Sequence, residues 1–138
     1  MIKGFSLDIY DCDIAFAWDT NEKEINAYFD KAQVPDDYRK GFLENYGEGK
    51  VGALTTFSCV SNAFTVFRDE PNNKVVAHEI YHIAYNVLKP RGVEDEEAWA
   101  YLIGFLTEMF YDLYLEKDEE EGQEEHYIKA NGDTYTAD

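Results

Sequence analysis

The chain has 138 residues, the size of one domain, and 45% of them are hydrophobic, with eleven Tyr and nine Phe, which is too rich in core formers for a disordered polymer. Its 29 acidic residues against 12 basic ones give a net charge of -17, so nucleic-acid backbones and anionic membranes would be repelled and are set aside as partners. Cys12 and Cys59 lack CxxC spacing, which excludes a disulfide framework and a thiolate metal site and leaves two buried free thiols as the expectation.

Phe5, Leu7 and Ile9 alternate with polar neighbours, and Ile14, Phe16 and Trp18 do so again, which predicts a β-hairpin with one buried face. Asp8, Asp11 and Asp13 break up any apolar run, so no secretory leader is expected. Thr20 or Asn21 caps a helix to about Ala32 with Ile25, Tyr28 and Phe29 as its apolar stripe, and Pro35 opens a second helix to Tyr46. Gly47, Gly49 and Gly52 return the chain to extended structure. Val51 to Val60 and Ala63 to Phe67 then predict a second strand pair that turns around Ser61-Asn62.

The run Asp69-Glu70-Pro71-Asn72-Asn73 ends that pair and offers capping side chains. A helix follows to about Lys89, with Val75, Val76, Ile80, Ile83, Ala84, Val87 and Leu88 on its apolar face and Pro90 and Gly92 as its stop. Asp95 caps a last helix that buries Trp99, Leu102, Leu106, Phe110 and Leu113; Glu108 and Asp112 make it a core helix rather than a membrane span. Beyond Leu115 the composition turns acidic, and residues 116–138 are expected to form a largely disordered tail behind a domain of residues 1–115. The expected architecture is α+β, a small and mostly antiparallel sheet packed on the last two helices.

His78-Glu79-Ile80-Tyr81-His82 is an HExxH motif within the first of those helices. Histidines four apart share one helix face, so both imidazoles can reach a single ion. Glu79 then lies beside the ion, where its carboxylate can take a proton from a metal-activated water. The competing reading is a pair of partly buried histidines bonded to backbone or carboxylates. A catalytic zinc ion takes a third protein ligand, and Glu94, Glu96 and Glu97 ahead of the last helix all qualify; Glu97 is preferred on helix spacing. The eight residues from Lys89 to Glu97 span up to ~26 Å when extended, which is reach enough. Tyr81, Tyr101 and His126 are candidate donors to a developing oxyanion, with packing as the ordinary role of the tyrosines and solvation that of His126.

His78-Glu79-Ile80-Tyr81-His82 followed by Glu97-Ala98-Trp99-Ala100-Tyr101 resembles the small gluzincin-type zinc metallopeptidases, especially compact zincins encoded by bacteriophages and prophages. The resemblance spans about Ala63 to Met109. It implies a minimal zincin-like fold, Zn2+ held by His78, His82 and Glu97, Glu79 as general base, and a strand before the motif helix at the edge of the substrate cleft, so that an edge strand at Ala63 to Arg68 is expected to pair with an extended peptide. It also implies hydrolysis of a peptide or protein substrate in a bacterial host cytoplasm. The sequence departs from the metzincin pattern, because no third His follows His82 at the required spacing. The chain is also short for a peptidase. The alternative reading is therefore a non-catalytic zincin-like binding protein, or a phage virion-associated one, with a structural zinc or none.

Overall fold

Alternation at the start of the chain forms the expected hairpin in the computed structural model, which describes residues 1–47, 52–59, 62–116, 126–128 and 134–136. Strand β1 (Ile2–Leu7) pairs antiparallel with β2 (Cys12–Ala17) across a 3-10 turn at Asp8–Tyr10. Asp11 closes that turn at φ 49°, a left-handed conformation that aspartate tolerates better than most residues. Helix α1 (Glu22–Lys31) begins at Asn21, whose side chain accepts a hydrogen bond from the Glu24 N–H, and α2 (Asp36–Gly47) follows directly on Pro35.

The chain next enters the sheet as β3 (Ala53–Cys59) and returns antiparallel as β4 (Asn62–Phe67). The strand order is β1-β2-β4-β3, and β4 runs parallel to β2, with Ile14 opposite Ala63 and Ala17 opposite Val66. This corrects one expectation. The strand that leads into the motif helix is interior, not an edge; the edge beside it is β3. The physical reason is that a parallel pairing needs a long crossover. Here α1 and α2 carry the chain over one face to the far edge, and β4 fills the slot between β2 and β3.

A second expectation, one buried face per strand, also changes. Phe5, Leu7, Ile14, Phe16, Trp18, Ala63 and Phe67 pack under α3 (Asn73–Leu88) and α4 (Glu96–Leu115). The alternate residues Ala15, Ala17, Phe64 and Val66 pack on Ile25 and Phe29 of α1 and Phe42 of α2. Both faces of β2 and β4 are therefore covered, which explains the unbroken buried run of β4. Two of the three strand pairings within this four-stranded sheet are antiparallel, and the fold is α+β with helices on each side of the sheet.

Helix α3 begins where Asn72 accepts from the Val75 N–H, and it buries Val76, Ile80, Ile83, Ala84, Val87 and Leu88 at helical spacing. It runs into a 3-10 turn at Lys89–Arg91 that Gly92 ends at φ 71°, where glycine alone is unstrained. The Arg91 guanidinium donates 2.7 Å to the Tyr10 carbonyl, which ties this connection to the first hairpin. Asp95 caps α4 by accepting from the Glu97 N–H.

No helix among the described residues is long and apolar enough to cross a membrane. Cys12 is buried; the side chain of Cys59 lies outside those described. Within the segment expected to be an acidic tail, β5 (His126–Ile128) and β6 (Thr134–Thr136) form an antiparallel pair, and β5 lies against β1. At those six positions the chain is paired rather than unstructured. Residues 117–125, 129–133 and 137–138 of the expected tail lie outside the described residues, as does Ser61 of the expected turn.

Candidate metal centre

The apolar face that anchors α3 on the sheet fixes which residues of the helix meet solvent. His78 and His82 are exposed, one turn apart, with their Nε2 atoms 3.1 Å from each other and ring centroids at 4.8 Å. An ion bonded to two imidazoles at roughly 2.0–2.1 Å and a near-tetrahedral angle needs those nitrogens roughly 3.2–3.4 Å apart. The pair is within a few tenths of an ångström of that geometry.

Glu79 follows His78 and is turned about 100° around the helix, toward the sheet. Its side chain is only 4% exposed, yet the three ligand atoms of His78, Glu79 and His82 all lie within 4.8 Å of one another. Burial pushes the carboxyl above the ordinary glutamate range, and the two nearby imidazoles and a hydrogen bond from Thr55 partly oppose that rise. The second carboxylate oxygen, Oε2, is buried without a hydrogen-bond partner. A buried unpaired oxygen next to two converging imidazole nitrogens is a donor set that fits a divalent metal ion. The same 3.1 Å spacing also lets one imidazole donate a hydrogen bond to the other.

Family models, curated proteins and solved structures give no match to this chain.

The remaining predicted site residues are spread around the cluster. Glu94, Glu96 and Glu97 are exposed at the start of α4, and none of them joins the His78–Glu79–His82 group. That turn of α4 nevertheless runs beside the motif, because the Trp99 ring contacts both Tyr81 and Tyr85 at 6.1 Å between centroids. The Trp99 indole N–H donates to the Val93 carbonyl, so the ring is held from its own side. Tyr81 is half-exposed next to His82, and Tyr101 is exposed on α4. The side chain of His126 is outside those described.

Sequence reasoning missed Thr55 and Thr65, the cross-strand pair beneath Glu79. One signal was available: Thr65 is the single polar residue in the run Ala63-Phe64-Thr65-Val66-Phe67, and it is completely buried.

Removing each of the three carboxylates in turn tests the third ligand. Glu97→Ala should weaken zinc binding by more than the ~10–100-fold that outer-sphere changes cause, while Glu94→Ala and Glu96→Ala change it little. Competition with a chromophoric chelator reads all three. Equal losses in the three variants would mean that the acidic turn acts through charge alone.

Proposed function

We propose that this protein is a zinc-dependent metallopeptidase of zincin-like type, in which His78, His82 and Glu97 hold the ion and Glu79 is the general base. The observation that carries the reading is the pair of Nε2 atoms 3.1 Å apart with an unpaired carboxylate oxygen of Glu79 beside them. Zinc, when bound, polarises a carbonyl and makes water acidic enough to lose a proton near neutrality.

The protein's own groups account for the proton traffic. Thr55 holds the Glu79 carboxylate, and the unpaired oxygen is available to take a proton from water and to return it to the departing amine. Burial makes this carboxylate more basic than a solvated one, which brings it closer to the proton affinity the task needs. Tyr81 and Tyr101 present exposed phenols as donors to the oxyanion. An extended peptide can pair with the outer edge of β3, the strand that carries Thr55. Main-chain pairing of that kind binds many sequences alike, so specificity would come from side chains around the histidines.

The test is hydrolysis of a mixed peptide library by the zinc-loaded chain, read by mass spectrometry, beside His82→Ala and a chelated sample. Cleavage should disappear in both controls and return when zinc is restored to the chelated parent. A parent that holds one zinc per chain and cleaves nothing would favour the non-catalytic binding role.

A further inference from the structure

Among the described residues, the buried side chains are apolar with two exceptions, Thr65 and Glu79. A polar group in an apolar core needs a partner, because nothing else there replaces the water it has lost. Thr55 stands between the two. It is the cross-strand partner of Thr65, with the hydroxyl oxygens 2.7 Å apart, and its hydroxyl hydrogen-bonds the Glu79 carboxylate. Strand alternation explains the placement. Thr65 shares a face of β4 with Ala63 and Phe67, the face covered by α3, while Phe64 and Val66 point to the opposite layer.

The direction of this chain of bonds follows from proton counting. A carboxylate only accepts, and a hydroxyl has one proton to give. Thr55 gives its proton to Glu79, so the 2.7 Å contact is made by Thr65 donating to the Thr55 oxygen. The result is a relay from Thr65 to Thr55 to one carboxylate oxygen of Glu79, with Oε2 left unpartnered.

We propose that Thr55, backed by Thr65, is a positioning residue that pins one oxygen of Glu79 so that the other is the oxygen that exchanges the proton. This rests on the base role proposed for Glu79. A glutamate turns about three side-chain bonds, and a held oxygen removes most of that freedom before substrate arrives. A cross-strand threonine pair also stabilises a sheet without any reference to catalysis. A purely structural pair would change stability alone.

The experiment uses the full-length chain with zinc bound. Thr55→Val keeps the shape and removes the hydroxyl; it should lower kcat about 10–100-fold with KM and zinc affinity unchanged, and Thr55→Ser should recover activity to within about threefold of the parent. Thr65→Val should lower kcat in the same sense by less. Parental kcat in Thr55→Val, or a loss that serine does not restore, overturns the proposal. A second readout needs no activity. In the chelated protein, urea unfolding of Thr55→Val, Glu79→Ala and the double variant should be non-additive, because the two side chains share a hydrogen bond. Additive effects overturn the contact itself. A zinc-loaded parent that cleaves nothing would sink the peptidase reading instead, and the cycle would then decide alone whether Thr55 holds Glu79.

Discussion

Glu79→Gln should keep one zinc ion per chain and hydrolyse peptides about 10²–10⁴ times more slowly than the parent, the share of rate that a positioned general base supplies. Glutamine has nearly the same shape and still accepts a hydrogen bond from Thr55, but it cannot take a proton. The imidazole nitrogens that approach each other belong to His78 and His82, so the metal site stays intact. Zinc content measured together with single-turnover rates separates the two effects. A variant with full zinc and undiminished cleavage would remove Glu79 from the mechanism.

The same substitution has a consequence for stability without metal. Burial raises the Glu79 pKa in the folded protein, against the smaller opposing effects of His82, His78 and Thr55. Between the unfolded value and the raised folded value, the folded state binds more protons than the unfolded state, so stability falls as pH rises through that window. Below the window both states hold the proton and the effect is absent. Chelated Glu79→Gln should therefore melt above the chelated parent at neutral pH and alongside it at strongly acidic pH. Thermal unfolding at a series of pH values checks this. A constant difference at every pH would point to packing rather than charge.

Phe110→Ala should cost about 3–5 kcal/mol, the range for deleting a fully buried aromatic side chain. The ring is fully buried on α4 and meets Phe67 at 5.0 Å, Phe16 at 5.2 Å and Trp18 at 6.4 Å between centroids. Tyr114 stacks on it at 5.5 Å. These partners come from β2 and the residue that follows it, β4 and α4, so the cavity would open where the central strands meet the helical layer. A domain of this size holds roughly 5–15 kcal/mol in all, so much of the margin would go. Urea unfolding followed by circular dichroism measures it. A loss below about 1 kcal/mol would mean that the neighbouring rings close the gap unaided.

Local signals in the sequence led to local structure. The alternation through Phe5, Leu7, Ile14 and Phe16 is the first hairpin, the spacing from Val76 to Leu88 is α3, and Asn21, Asn72 and Asp95 are caps. The HExxH spacing alone brought His78, Glu79 and His82 together. What escaped depends on partners far away in the chain. The pairing of Ala15 with Phe64 is set by a crossover, and no periodicity within β4 says whether that strand is interior or at an edge. An apolar run is compatible with either, so β3 was not recognised as the outer strand. Thr55 and Thr65 look like ordinary β-formers until their register is known. Glu79 illustrates the same limit: the motif gives its identity, and only the sheet beneath it gives its burial and its partner.

Thr55, Thr65, His78, Glu79 and His82 all belong to β3, β4 and α3, three elements consecutive in the chain. These five groups thus come from a consecutive strand–strand–helix stretch, with the amino-terminal half packed against it, while the proposed ligand Glu97 comes from α4. Helices α1 and α2 pack on the face of the sheet opposite α3, so changes in the loop that joins them fall on the layer away from these five groups. Variation between related chains would accordingly gather in that loop, and a designer could graft new recognition there without rebuilding the His78, Glu79 and His82 cluster.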